Sequence, residues 1–145
     1  MALLITGSPG AGKTTAIRAV ASGLVGARLS GFFTEEMRSR GARRGFELVT
    51  FDGQRAVMAH VDRRGDPRVG KYGVDAGVLK TMARTSLAVD RGIDVYLVDE
   101  IGKMECLSPG FVAAMRALLD SGRPVVATIG ERGGASSPRP SADRT

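Results

Sequence analysis

Gly7-Ser8-Pro9-Gly10-Ala11-Gly12-Lys13-Thr14 narrows the possible folds of this chain more than any other feature. It has the spacing G-x-x-x-x-G-K-[ST]. Before it lies an apolar run of strand length, Ala2–Thr6. After it, Thr14–Leu24 carries Ile17, Val20, Ala21 and Leu24 at helical spacing, and Gly23 and Gly26 stop the helix. Strand, glycine loop, helix is the setting in which such a loop holds phosphate. Glycines let backbone N–H groups turn inward with no Cβ in the way, and the helix points the positive end of its dipole at the same anion. Lys13 adds a point charge for the β- and γ-phosphates. The Thr14 hydroxyl is a ligand for Mg²⁺.

A second constellation lies about 85 residues further on. Val95-Tyr96-Leu97-Val98-Asp99-Glu100 is an apolar strand ending in two carboxylates. Asp99 stands where a strand-end aspartate would hold Mg²⁺, directly or through water. Glu100, one residue later, is placed to take a proton from a water attacking the γ-phosphate. Asp-Glu after a strand also opens turns, so the pair acquires its meaning from the glycine loop. Thr128 ends the last apolar strand, Pro124–Ile129. With that strand between the loop strand and the Asp99 strand, its hydroxyl would face the γ-phosphate or the water. It reads equally well as a plain β-former.

Between the two constellations the chain changes character. Phe32–Thr34, Phe46–Phe51 and Ala56–His60 have strand chemistry, and Asp52-Gly53 is a hairpin signal. Ser39–Gly45 reads as a turn bearing arginines. Val61–Gly73 reads as a loop. Asp75–Asp90 fits a helix capped by Asp75, burying Val78, Leu79, Met82 and Leu87. Ile93–Val98 suits the middle of a parallel sheet. Pro109–Asp120 fits a helix with Ser108 as cap and Pro109 in its first turn. The order implies an α/β fold with a parallel sheet flanked by helices and a small β-rich insertion at about 31–60. The expected organisation is one domain over 1–129. Gly130–Thr145 has no large apolar residue and reads as a disordered tail.

Composition excludes several classes. No apolar run approaches the ~20 residues of a membrane span. One cysteine, Cys106, makes no internal disulfide, and with one histidine, His60, a zinc cluster is implausible. The first apolar run leads straight into the glycine loop, leaving no room for a secretory leader, so the expected location is cytoplasmic. The chain has no Asn, which removes the guanine-reading tetrapeptide of GTPases. The net charge is +6, and +4 of it lies between Arg28 and Lys71. This basic balance suits nucleotide phosphates, or an RNA or protein partner for the insertion, and fits equally well with solvated arginines.

Five strings occur in order: the loop extended to Thr15, Gly31-Phe32-Phe33-Thr34-Glu35-Glu36-Met37-Arg38, Arg44-Gly45-Phe46-Glu47-Leu48-Val49, Val69-Gly70-Lys71-Tyr72-Gly73-Val74, and Asp99-Glu100-Ile101-Gly102-Lys103-Met104-Glu105. Together they resemble the THEP1-type nucleoside-triphosphatases, the cancer-related NTPases of vertebrates, from Leu3 to about Ile129. The resemblance implies a RecA-like P-loop fold and slow, Mg²⁺-dependent, base-tolerant NTP hydrolysis, with a monomer favoured. It makes Gly7–Thr15 the nucleotide loop, with Asp99 and Glu100 serving metal and water. Family members continue past the last strand with a β/α segment, often carrying an arginine near the nucleotide, which Gly130–Thr145 does not match.

With that late arginine missing, two sources of a catalytic cation remain. Lys103 lies three residues past Glu100. Arg38, Arg40, Arg43 and Arg44 would instead form the lid of a small-molecule or nucleotide kinase. The Asp99-Glu100 pair favours water as acceptor. A nucleotide-dependent RNA- or protein-binding switch is a third reading, but it lacks aromatic residues interleaved with the basic ones.

Overall fold

The structure, a computed structural model, describes residues 1–7 and 12–130. Its elements are β1 (Ala2–Ile5), α1 (Lys13–Gly23), β2 (Leu29–Ser39), β3 (Ala42–Thr50), β4 (Arg55–His60), β5 (Arg68–Val69), β6 (Tyr72–Val74), α2 (Ala76–Ser86), β7 (Val95–Ile101), a 3₁₀ turn (Glu105–Leu107), α3 (Pro109–Asp120) and β8 (Val125–Ile129). Ser8, Pro9, Gly10, Ala11 and the tail after Gly130 lie outside the described residues.

All eight strands join one sheet in the order β1-β8-β7-β2-β3-β4-β6-β5. The first four run parallel, and from β2 onward every pairing is antiparallel. The expected α/β architecture with a parallel core is therefore present, with β8 between β1 and β7. The stretch 31–60 is continuous with that core rather than appended to it. β2 is the hinge of the design: Leu29–Phe33 pair with Val95–Asp99 of β7, and the strand then outruns β7 to pair with β3 as far as Ser39.

Gly31 makes this seam possible. Its φ is +108°, and a Cβ there would run into the Leu97 carbonyl of β7. Only a residue without a side chain lets the two strands approach this closely.

Strand alternation divides the core. Tyr96 and Val98 of β7 join Val125 and Ala127 of β8, Phe32, Leu48 and Met58 in the cluster closed by α2 and α3, where Leu79, Met82, Phe111, Met115 and Leu118 are buried. Leu97 and Asp99 face the other side, where α1 packs on β7 and β8 and buries Ile17. β1 is an edge strand that leaves Leu3 and Leu4 about half exposed.

The helix caps are those the sequence announces. Asp75 accepts the Val78 N–H at 3.0 Å, and the Ser108 hydroxyl accepts that of Phe111 at 3.1 Å, just ahead of Pro109. Two stretches differ from expectation. α2 ends at Ser86 instead of Asp90, because the Tyr96 hydroxyl donates to the Ala88 carbonyl (2.6 Å) and accepts the Asp90 N–H (2.8 Å), drawing residues 87–90 off the helix. The 61–73 loop contains β5 and β6, which finish the sheet beyond β4.

Candidate active site

The tips of the four parallel strands converge on one cleft, the usual place for a ligand in an open α/β sheet. Lys13, in the first turn of α1, donates from Nζ to the Gly7 carbonyl at 2.8 Å and to the Ile129 carbonyl at 3.1 Å. Its ammonium thus stands between the ends of β1 and β8. Gly12 caps the helix in a left-handed conformation (φ +97°), which a side chain would strain. Thr14 and Thr15 follow it, exposed to the cleft.

Asp99 is 1% exposed. Its Oδ1 accepts the Thr128 hydroxyl at 2.6 Å, and its Oδ2 is buried without a hydrogen-bond partner among the described residues. A carboxyl oxygen left without a partner in the interior is costly unless a cation or donor meets it. The site is therefore built for a positive group, and a divalent cation suits an all-oxygen set of Asp99 and the Thr14 hydroxyl. Thr128 is fully buried beneath Asp99, so its hydroxyl serves the carboxylate instead of facing the cleft.

Glu100 follows at an irregularity in the ladder. Val98 pairs with Ala127 and Ile101 with Ile129, so β7 spends one residue more than β8 here, and the Asp99–Glu100 peptide is cis. Such a bulge re-aims a side chain beside a functional site. The Glu100 carboxyl lines the cleft in a space that Gly102 and Gly130 leave open: a Cβ on Gly130 would overlap it, and one on Gly102 would come within 3.0 Å of its Oε2. Burial pushes its pKa up and the Asp99 charge adds to this, while Lys13 pulls it down. A carboxyl moved toward neutrality in this way is a better proton acceptor.

Sequence reasoning assigned no role to Glu105. This residue is 3% exposed, and its Oε1 accepts the Gly102 N–H at 3.1 Å, fixing the turn that carries Lys103. Burial pushes its pKa up to about 8 against its own and the Gly102 N–H groups, with Glu100 and Asp99 raising it further. The only signal for it in the sequence was its place at the end of the Asp99–Glu105 string. Lys103 itself is exposed and lines the cleft. The arginines of the β2–β3 turn do not: Arg38 and Arg43 pair with Glu36 at 2.9 and 2.8 Å, and Arg44 with Asp62 at 3.1 Å. None of Arg38, Arg40, Arg43 and Arg44 is among the described residues lining the cleft.

Known proteins carry the same pattern. A family model described as NTPase matches residues 2–140. The chain belongs to this nucleoside-triphosphatase family. The match runs past Ile129, so the family pattern extends into the segment that composition alone sets apart. The nucleoside-triphosphatase THEP1 of Thermotoga sp. (strain RQ2) is 44% identical over 132 residues, 89% of this chain and 74% of that protein. That of Thermofilum pendens is 41% identical over 140 residues, 92% of this chain and 75% of the relative. Among solved structures, THEP1 from Aquifex aeolicus superposes with a TM-score of 0.80 at 36% identity, covering 94% of this chain and 80% of that one. A human cancer-related nucleoside triphosphatase gives a TM-score of 0.74, also at 36% identity, over 91% and 77%. Among the described residues of this family member, no helix is long and apolar enough to cross a membrane.

Proposed function

We propose that this chain hydrolyses nucleoside triphosphates to the diphosphate and phosphate, slowly, with Mg²⁺ and with little regard for the base. The observation that carries the reading is the buried Asp99, one oxygen tied to Thr128 and the other without a partner among the described residues, beside a Glu100 whose pKa is raised and a Lys13 at the strand tips. Lys13 gives up its carbonyl contacts to meet the β- and γ-phosphates. Asp99 and Thr14 hold the Mg²⁺, which when bound neutralises charge on the phosphate oxygens. Glu100 takes the proton of the attacking water. Thr128 is a positioning residue that fixes the Asp99 rotamer. Gly7 to Thr15 form the nucleotide loop: Ser8, Gly10, Ala11, Gly12, Lys13, Thr14 and Thr15 supply backbone N–H groups to the phosphates, and Pro9, which has none, shapes the turn.

Slowness follows from the supply of cations. Of the basic side chains described in the cleft, Arg18 is tied to Glu35 at 3.4 Å, which leaves Lys103 beside Lys13 to meet charge developing on the γ-phosphoryl oxygens. Base tolerance is supported by the absence of Asn. The reading fits a monomer working in the cytoplasm, with residues 1–129 as the catalytic unit. An RNA partner finds less support, because Arg38, Arg43, Arg44, Arg55 and Arg63 of the basic stretch are each paired with a carboxylate. Phosphate release from each of the four ribonucleoside triphosphates, with and without Mg²⁺, tests the reading. Lys13→Ala should abolish release and weaken nucleotide binding. Turnover of Lys13→Ala at the parent rate would remove the loop from the mechanism.

A further inference from the structure

The cleft is larger than hydrolysis requires. It is a half-open space of about 910 Å³, and one end is formed by Gly12, Lys13, Thr14 and Thr15. The other end lies beyond the tip of β7, where β2 outruns it. Thr34, Glu36, Phe46, Met58, Val69 and Met104 wall this far chamber. A triphosphate held by the loop after β1, with its γ-phosphate at Glu100, carries its nucleoside back along that loop, away from β7. In-line transfer puts the attacking oxygen opposite the leaving oxygen. The chamber therefore opens on the attacking side, behind the position that Glu100 deprotonates. An attacking water takes only about 30 Å³.

Its walls identify what fits. Met58 is buried, and the Phe46 ring is braced edge-on by Tyr72 with centroids 5.2 Å apart. With Val69 and Met104 they form an apolar bed, and the Thr34 hydroxyl adds a polar group. The charges around the chamber are already matched: Glu36 is held by Arg38 and Arg43, and Glu35 by Arg18 and Arg55. An anionic acceptor such as a nucleoside monophosphate would need a further cation besides Lys103, which the proposed reading assigns to the γ-phosphoryl group, and the described walls of the chamber offer none. A neutral molecule with a flat apolar body and one hydroxyl suits them.

We propose that the chamber beyond Glu100 is an acceptor site for a neutral, flat-bodied alcohol, and that the protein transfers the γ-phosphoryl group to it in competition with water. This rests on the hydrolytic reading of the same site. The alcohol oxygen forms a bond to the γ-phosphorus while the bond to the β,γ-bridging oxygen breaks. That electron pair leaves with the nucleoside diphosphate. The hydroxyl proton passes to Glu100 and then to solvent, so the products are a phosphate monoester, the diphosphate and a proton.

The test is product partition. The protein is incubated with ATP and Mg²⁺ in equal concentrations of 2-phenylethanol or glycerol, and phosphate monoester and inorganic phosphate are counted by ³¹P NMR. The ester-to-phosphate ratio with 2-phenylethanol should exceed that with glycerol by at least ~10-fold, a transition-state preference of about 1.4 kcal/mol. Val69→Trp, which fills the chamber, should cut the ratio with 2-phenylethanol by a similar ~10-fold factor whatever its absolute rate. Phosphate release with no ester, or equal partition to the two alcohols, overturns the acceptor site and leaves hydrolysis intact. No phosphate release from any triphosphate overturns the hydrolytic reading and the acceptor site with it.

Discussion

The sheet has two halves, and they hold their shape and their chemistry differently. In the parallel half, β1, β8, β7 and β2 are joined through helices, and the groups proposed for the chemistry gather at the strand tips: Lys13 at the start of α1, Asp99 and Glu100 on β7, and Thr128 on β8. In the antiparallel half, β3–β4 and β5–β6 are adjacent pairs, with β6 set between β4 and β5, and the polar residues form a lattice of ion pairs on the outer surface, Arg55 with Glu35 and Glu47, Arg44 with Asp62, Arg63 with Asp75. Exposed pairs of this kind contribute about 0–1 kcal/mol each. The desolvated carboxylates of the parallel half act at far higher local field. On the proposed reading the chemistry belongs to the parallel half, and the antiparallel half supplies a wall of the cleft.

The comparison breaks most visibly at Glu100. Glu100→Gln keeps shape and loses the base, so nucleotide should bind as before while kcat falls by ~10²–10⁴. Stopped-flow binding and steady-state phosphate release separate the two effects. Equal loss of both would make Glu100 a structural or metal residue and take proton transfer out of the β7 tip.

Next in size is the seam. Gly31→Ala places a Cβ on the Leu97 carbonyl at a φ of +108°, so β2 must move off β7. We expect a loss of roughly 3 kcal/mol or more, from backbone strain and lost packing together, read as a fall in denaturant midpoint. A variant as stable as the parent would mean that the halves can shift against each other freely.

The legibility of the sequence follows the same division. The parallel half was readable because its signals are local: the glycine loop, the Asp99-Glu100 strand end, the Ser108-Pro109 cap. Tertiary effects escaped. The end of α2 depends on a hydroxyl ten residues away in Tyr96. β5 and β6 have two and three residues and exist only because β4 offers an edge. Phe46 reads as core by its chemistry, yet the β2 overrun turns it into a wall of the cleft. Thr128 was legible as a polar tip, but its alternation with Ala127 turns it beneath Asp99. Glu105 was legible as a motif residue, and nothing local announces its burial.

Glu105 sharpens the comparison through pH. Its pKa is raised to about 8, so the folded state holds a proton that the unfolded chain releases near pH 4.5. The stability this contributes is complete below the usual carboxylate pKa and is lost as pH rises to about 8. Glu105→Gln has no such proton. Its melting temperature should draw ahead of the parent's between pH 5 and pH 8, by roughly 5–10 °C. A constant gap across that range would mean that Glu105 is ionised in the fold, and that the turn carrying Lys103 rests on a charge.

The smallest effects decide which half provides the catalytic cation. Lys103 belongs to the parallel half, exposed on a turn that Glu105 fixes beside Glu100. Arg43 and Arg44 belong to the antiparallel half and are already engaged, Arg43 with Glu36 and over the Phe46 ring at 5.5 Å, Arg44 with Asp62. Recruiting either one to a phosphate would break those contacts and swing the turn of β2 and β3 over the cleft. Lys103→Ala should therefore lower kcat by at least ~10-fold, about 1.4 kcal/mol of transition-state stabilisation, with nucleotide affinity little changed. The double substitution Arg43→Ala, Arg44→Ala should leave phosphate release within about threefold, under ~1 kcal/mol. The reverse ranking would carry the cation across the seam. The antiparallel half would then be an arginine lid, the walls of the acceptor chamber would bear usable positive charge, and an anionic acceptor would fit there better than a neutral one.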